Sequence, residues 1–126
     1  MLVYNSITQL LDKKVLNQED TLGSLQSSIG GHIERVPLPI LENEGIDVWV
    51  NEEGKLQNLN PAVLVVHNGE PIDVICGNIA FAGHDGEGGT IELTKEQEAM
   101  VEKIMEKHWF HGKDGIVIAE IPVFVV

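Results

Sequence analysis

The segment Ile46-Asp47-Val48-Trp49-Val50-Asn51-Glu52-Glu53-Gly54-Lys55-Leu56, residues 46–56, carries the most information about the fold. Its apolar residues take every second position as far as Val50, and this alternation predicts a half-buried strand. Asn51-Glu52-Glu53-Gly54 follows as a turn, and we expect Gly54 at the position with a positive φ angle. Lys55–Leu56 is then expected to restart the chain in extended form.

Upstream of this strand, a short helix is predicted to end at Gly30–Gly31. Asp20 or Thr21 can cap its first turn, because either side chain accepts a hydrogen bond from an unpaired backbone N–H. Apolar residues then follow at spacings of three and four up to Ile29, as on one face of a helix. Glycine tolerates the left-handed backbone of a helix C-cap, so the glycine pair is expected to stop the helix.

Several apolar and β-branched runs predict further strands. They are His32–Leu38, Ala62–Val66, Ile72–Cys76, Ile79–Ala82 and Ile116–Val126. Asn68–Gly69 is a turn signal between two of them. Pro122 indicates an edge position or a break in the last run. Residues 1–17 fit a strand, a short helix or a hairpin, and these alternatives stay open.

Thr94–His108 is predicted to be the longest helix. Thr94 and Gln97 fit a capping box, in which each side chain satisfies a backbone N–H near the other residue. The fold class expected from all these segments is α+β: a mixed, mostly antiparallel sheet with one short N-terminal helix and one longer C-terminal helix. The length of 126 residues fits a single domain, 1–126.

The chain is strongly acidic, with 20 acidic and 8 basic residues and a formal net charge of −12. A protein that neutralises nucleic-acid phosphates needs a basic face, so direct nucleic-acid binding is not expected.

Cys76 is the only cysteine, which excludes an intramolecular disulfide, and its apolar surroundings predict a buried thiol. No segment is long and apolar enough for a membrane span, so we expect a cytoplasmic protein without a membrane partner.

Residues that could carry chemistry do not form a catalytic or metal-binding pattern. His108, His111 and Asp114 could face one ion, but a structural zinc site needs four ligands and no cysteine pair is present. His84-Asp85 could pair a base with an acid, although adjacent residues rarely reach that geometry. Glu52-Glu53 is typical of an exposed turn. We therefore expect no enzyme activity, no metal and no cofactor.

Trp49 is the aromatic residue with the most informative position. The alternation places it on the strand face opposite Val48 and Val50. An aromatic side chain on that face can stack on a planar ligand or lie in a subunit interface. It can equally belong to a second buried face covered by a helix, and both alternatives stay open.

Several short motifs, in order, resemble a family of small proteins found mostly in bacteriophages, prophages and conjugative elements. The resemblance is carried by Ile29–Leu38, Val48–Leu56, Leu59-Asn60-Pro61, Asp73–Ile79 and the helix start at Leu93–Gln97. It covers about residues 21–107, and the apolar segment 115–126 falls outside it. The resemblance implies a mobile-element accessory protein, set in a bacterial host cytoplasm, that opposes antiviral defence.

One route to such a function is the capture, without catalysis, of a small nucleotide-derived immune signal. Glycines let backbone N–H groups approach a ligand, and polar side chains lie beside them. The expected ligand-binding residues are Gly30, Gly31, Trp49, Asn51, Asn58 and Asn60. The alternatives are an acidic DNA mimic that inhibits a host nucleic-acid enzyme, and a small hydrolase that degrades a nucleotide signal. The C-terminal run is more apolar than an edge strand should expose, so either the domain's own helix or a second subunit should cover it, and a homo-oligomer is expected.

Overall fold

A computed structural model describes residues 1–111 and 117–126, and it places helices on both sides of a strand-rich core. In this described part the helices are α1 Thr21–Ile29, α2 Pro39–Glu42 and α3 Lys95–Ile104. The strands are β1 Leu2–Asn5, β2 Leu10–Lys13, β3 Ile33–Val36, β4 Ile46–Asn51, β5 Pro61–His67, β6 Glu70–Cys76, β7 Ile79–His84, β8 Thr90–Ile91, β9 His108–His111, β10 Val117–Ile121 and β11 Val123–Val125. This content confirms the α+β class.

The strands form three sheets within the described residues. The central sheet has the order β2-β1-β7-β4-β3, with β8 added beside β7, and all its pairs are antiparallel. A smaller sheet has the order β11-β5-β6, in which β11 runs parallel to β5. Strands β9 and β10 pair as a separate antiparallel ribbon. The predicted mixed and mostly antiparallel pairing is therefore confirmed.

Apolar side chains fill both faces of the central sheet. On one face, Val48 and Phe81 pack with Val101 of α3 and Phe124 of β11, and these four are almost fully buried. On the other face, α1 inserts Leu25 and Ile29 between residues of β1 and β7. The sheet is thus a middle layer, and α1 covers only part of its outer face.

Helix α1 begins and ends where the sequence predicts. The Asp20 side chain accepts a hydrogen bond from the Gly23 N–H at 2.9 Å and caps the first turn. Gly30 has φ 85° and closes the helix in the left-handed conformation, with its N–H bonded to the Gln26 carbonyl at 2.8 Å. This N-terminal helix and its glycine stop are confirmed.

The turn after β4 differs from its prediction. Residues 52–58 form consecutive tight turns, so the expected extended restart at Lys55–Leu56 is wrong. Gly54 does not have a positive φ angle, and Asn58, with φ 54°, takes that conformation instead. Glycine is needed at position 54 for a different reason, because a Cβ atom there would lie 2.1 Å from the Cys76 carbonyl oxygen.

The last helix is shorter than predicted. Its capping box is present, with Gln97 N–H donating to Thr94 Oγ1 at 3.1 Å and Thr94 N–H donating to Gln97 Oε1 at 2.9 Å. It ends at Ile104, however, and His108 belongs to β9 because that segment pairs with β10. The short helix α2 was not predicted.

The two chain ends resolve expectations that the sequence leaves open. Residues 1–17 include an antiparallel hairpin, in which Leu2 pairs with Lys13. In the predicted C-terminal segment 115–126, residues 115 and 116 lie outside the described residues. Pro122 separates β10 from β11, as expected. Phe124 is 1% exposed, so the domain itself covers this part of the tail, whereas Val125 stays exposed.

Among the described residues, no helix is long and apolar enough to cross a membrane.

Candidate functional site

A polar cleft lies on the outer face of the central sheet, which is the face that carries Trp49. Trp49 and Asp47 are two residues apart in β4, so their side chains share a face. Arg35 of β3 pairs with Trp49, and His84 of β7 follows Ala82, the partner of Asp47. The cleft has a volume of about 340 Å³, and it is lined by Arg35, Glu42, Asp47, Trp49, His84, Gly88 and Thr90. We call it the Trp49 cleft.

Arg35 is held in the cleft by two carboxylates. Its Nη1 atom lies 2.7 Å from Glu42 Oε1 and 3.7 Å from Asp47 Oδ1. The hydrogen bond from Arg35 to Glu42, together with the charges of Glu42 and Asp47, raises the pKa of the guanidinium above its usual value. The guanidinium is therefore a permanent cation here, in a geometry fixed by α2 and β4.

His84 and Asp47 form the second polar contact. His84 Nδ1 lies 3.0 Å from Asp47 Oδ1, and Asp47 is only 9% exposed. A buried carboxylate beside one imidazole nitrogen fixes the ring orientation and favours the tautomer with the proton on Nδ1. The other nitrogen, Nε2, is then left as a hydrogen-bond acceptor or a base.

The indole N–H of Trp49 is buried without a hydrogen-bond partner. The Trp49 ring packs against the apolar cluster that α1 forms with β1 and β7, and the residue as a whole is half-buried. A buried donor that lacks an acceptor costs about 1–3 kcal/mol of stability. An unpaired group of this kind in a native structure calls for an explanation.

The predicted ligand-binding residues do not come together in one place. Gly31 and Asn51 are neighbours, because a Cβ at Gly31 would lie 3.3 Å from Asn51 Nδ2. Asn51 is 6% exposed, and its Oδ1 accepts a hydrogen bond from the Glu53 N–H at 2.8 Å, which fixes the start of the turn. Its Nδ2 is buried and unpartnered. Gly31 follows the C-terminal end of α1 and Asn51 ends β4, and neither residue lines the Trp49 cleft.

The other predicted residues have separate positions. Gly30 is exposed, and a Cβ there would meet nothing within 4 Å. Asn58 is exposed in the turn after β4. The Asn60 carbonyl accepts a hydrogen bond from Gly77 N–H at 2.8 Å, and the residue lines a different cavity of about 240 Å³ beside Ser6. Of the six, only Trp49 lines the cleft described above.

Arg35 and Asp47 were not among the predicted site residues, and the carboxylate beside His84 is that of Asp47, not of the adjacent Asp85, whose pairing with His84 was not expected. Asp85 caps its own loop, where its Oδ1 accepts hydrogen bonds from the Glu87 and Gly89 N–H groups at 2.8 and 2.7 Å. The alternation in β4 already placed Asp47 on the same face as Trp49, which was the available signal. The proximity of Arg35 and His84 depends on strand order, which the sequence does not give.

Metal ligation finds no support in the part of the chain that the structure describes. No group of three or more His, Cys, Asp or Glu residues there could hold an ion. His108 and His111 are the first and last residues of β9 rather than neighbours on a helix, and Asp114 lies outside the described residues. Cys76 is half-buried, so the prediction of a fully buried thiol is wrong.

A family model described as a domain of unknown function, DUF3846, matches residues 8–108. The chain belongs to the DUF3846 family. The matched region includes the Trp49 cleft, the turn after β4 and the glycine pair that ends α1. Searches of curated proteins and of solved structures found no significant match.

Proposed function

We propose that this DUF3846 protein binds a small nucleotide-like ligand in the Trp49 cleft and sequesters it without chemical change. The observation that carries the proposal is the convergence in one cleft of an indole, a guanidinium, an imidazole and a carboxylate: Trp49, Arg35, His84 and Asp47. The cleft volume of about 340 Å³ falls within the range of small-molecule sites. A few polar groups around an aromatic side chain are typical of such sites.

The chemistry of the cleft favours the base and sugar of a nucleotide. A nucleobase edge presents both donors and acceptors, and the cleft offers donors from Arg35 and acceptors from Asp47 and Glu42. Two carboxylates face one guanidinium, so a phosphate group would be repelled unless it lay at the rim. We therefore expect recognition through the base, with stacking or edge contact on Trp49.

The biological setting that we propose rests on the resemblance of several short sequence motifs to phage and prophage proteins. We propose an accessory protein that counteracts host antiviral defence by lowering the free concentration of a nucleotide-derived immune signal. Capture by mass action needs only affinity and abundance, and no catalytic step. We expect the protein to act in the host cytoplasm, where such signals act.

Calorimetric titration with a panel of cyclic mono- and dinucleotides tests the proposal. The chain has two tryptophans, and Trp109 on β9 is 62% exposed and does not line the cleft, so Trp109→Phe is the matched control for Trp49→Phe. We expect one member of the panel to bind the wild type and the Trp109→Phe variant equally. The Trp49→Phe variant should lose about tenfold in affinity, since phenylalanine lacks the indole N–H, whose hydrogen bond is worth about 1 kcal/mol, and offers a smaller ring for stacking.

Two results would count against the proposal. The absence of heat with every member of the panel would exclude cyclic nucleotides as ligands. Equal binding by the Trp49→Phe and Trp109→Phe variants would show that the ligand binds outside the Trp49 cleft. A rescue assay in infected bacteria that carry nucleotide-signalled defence then tests the biological role, with Trp49→Phe expected to fail and Trp109→Phe expected to succeed.

A hydrolase is the second candidate, and the contact between Asp47 and His84 favours it. A buried carboxylate 3.0 Å from His84 Nδ1 is the arrangement that prepares Nε2 as a general base. Incubation of the bound nucleotide followed by chromatography separates the two functions. Recovery of intact ligand supports sequestration. Turnover that disappears in His84→Asn would establish the hydrolase instead.

A further inference from the structure

A second groove lies on the opposite side of β4, between the central sheet and the smaller sheet. It has a volume of about 430 Å³. Its floor is apolar, and it is made by Val36 of β3, Val50 of β4, Val65 of β5 and Ile75 of β6. Residues 52–56 of the turn after β4 form one wall. None of its lining residues belongs to the Trp49 cleft.

The groove is bordered by two strands at sheet edges, of which β3 is the less obstructed. Within the described residues, β3 ends the central sheet and β6 ends the smaller one. On β6, the Val74 N–H donates to the Asp73 carboxylate at 2.8 Å, and Lys55 pairs with the same carboxylate, so this edge is partly blocked. On β3, Glu34 and Arg35 are exposed, and β4 is its strand partner in the sheet. An open edge beside an apolar groove is the geometry of strand addition.

The rim of the groove is acidic. Glu34, Glu52, Glu53 and Asp73 line it, against the single cation Lys55, which is already paired with Asp73. Excess negative charge of this kind selects a basic occupant and repels an anionic one. From the open edge, the apolar floor and the acidic rim, we propose that the groove binds an extended, basic segment of a partner polypeptide, which adds to β3 as a further strand.

A second copy of this chain fits the groove poorly. Each copy has a formal net charge of −12, and edge-to-edge pairing of two β3 strands would bring the carboxylates of Glu34 and Glu52 on one rim towards those on the other. Like charges brought together at an interface cost affinity. A basic partner gains from the same carboxylates, so charge decides the occupant in its favour.

A capped heptapeptide, Lys-Thr-Val-Thr-Lys-Thr-Val, is the probe. Its lysines and valines share one face of the strand because successive residues point to opposite faces, and Glu34 of the rim lies on the same face of β3 as Val36 of the floor. Binding is measured by fluorescence anisotropy with a labelled peptide. Cys76, the only cysteine of the chain, lines the groove, so its reaction with a thiol reagent reports occupancy of this particular place. We expect saturable binding together with slower modification of Cys76.

Matched variants separate charge, backbone pairing and general acidity. Glu34→Lys with Glu52→Lys reverses two exposed rim charges and should weaken binding by about tenfold or more. Glu106→Lys changes an exposed acid that does not line the groove, and it should leave affinity nearly unchanged. A peptide N-methylated at alternate residues cannot donate along one edge, so it should bind at least about tenfold more weakly. Trp49→Phe should bind the probe normally, which keeps this test independent of nucleotide capture.

Three results would overturn the proposal. Equal affinity of the rim double variant and Glu106→Lys would show that only the total charge matters. Undiminished binding of the N-methylated peptide would exclude strand addition. Protection of Cys76 that grows with protein concentration and needs no peptide would identify a second copy as the occupant.

Discussion

Replacement of Gly54 by alanine should destabilise the protein through a clash with the backbone of β6. A Cβ atom at this position would lie 2.1 Å from the Cys76 carbonyl oxygen and 3.0 Å from the Cys76 carbonyl carbon. Ordinary contacts between such atoms begin near 3.4 Å. The turn must therefore move by about 1 Å, although it is held by hydrogen bonds from Gly54 N–H to Asn51 O at 3.3 Å and from Leu59 N–H to Gly54 O at 3.0 Å.

The size of the effect follows from two opposing contributions. An overpacked site costs about 1–3 kcal/mol. Exchange of glycine for alanine stabilises by about 0.4–1 kcal/mol, because the unfolded chain loses freedom. We expect a net loss of about 1–2 kcal/mol in the free energy of unfolding, measured by urea denaturation. For a chain of 126 residues, each kcal/mol lowers Tm by about 4 °C, which calorimetry resolves.

Two further variants identify the cause. Gly86→Ala is the matched control, because a Cβ there meets nothing within 4 Å and its φ angle is not positive, so its Tm should stay within about 2 °C of the wild type. Gly54→Asn separates the two explanations for the glycine. Asparagine tolerates a positive φ angle but still carries a Cβ, so we expect it to destabilise at least as much as alanine. A wild-type Tm for Gly54→Asn, or equal effects of Gly54→Ala and Gly86→Ala, would refute the close-approach explanation.

Three other variants test the fold and one of its turns. Thr94→Ala removes one half of the capping box with Gln97 and should cost about 1 kcal/mol in urea denaturation, whereas no loss would show that the cap is dispensable. Phe124→Ala empties a 1% exposed site and should cost about 3–5 kcal/mol, and a small effect would mean that the tail is not part of the core. Hydrogen bonds from the Gly89 and then the Glu87 backbone lower the pKa of Asp85 below 3.8. Its stabilising contribution is thus present above about pH 4 and lost as pH falls through the lower folded value, so Asp85→Ala should lower Tm at pH 7 and have a smaller effect at pH 2.

Local signals predicted the elements that depend on local chemistry. The Asp20 cap, the left-handed Gly30 and the capping box at Thr94 each involve residues within a few positions of one another, and all three are confirmed. The alternation in β4 likewise predicted the strand and placed Trp49 opposite Val48, but the strand is largely buried on both faces and not half-buried as predicted. These features need no knowledge of tertiary structure, because backbone groups at helix ends and side chains along a strand follow fixed geometry.

Distant contacts explain the predictions that failed. The turn pattern predicted a positive φ angle at Gly54. Glycine is needed there because the Cys76 carbonyl group, from a residue far away in the sequence, leaves no room for a Cβ atom. The last helix was extended to His108 by its apolar spacing, but pairing with β10 takes that residue into a strand. The Trp49 cleft was missed as a group because β3, β4 and β7 become neighbours only through the sheet order. No local pattern connects Arg35 or His84 with Asp47.

Nuclear magnetic resonance of the two indole N–H groups tests ligand capture at Trp49 most directly. The chain has two tryptophans, so a ¹⁵N-labelled sample gives two indole signals, assigned by the Trp49→Phe and Trp109→Phe variants. In the free protein the Trp49 N–H is buried and has no acceptor, whereas Trp109 is exposed. On titration with the nucleotide identified by calorimetry, we expect the Trp49 signal to move and the Trp109 signal to stay. Movement of the Trp109 signal alone, or of neither signal at saturating ligand, would contradict nucleotide capture in the Trp49 cleft.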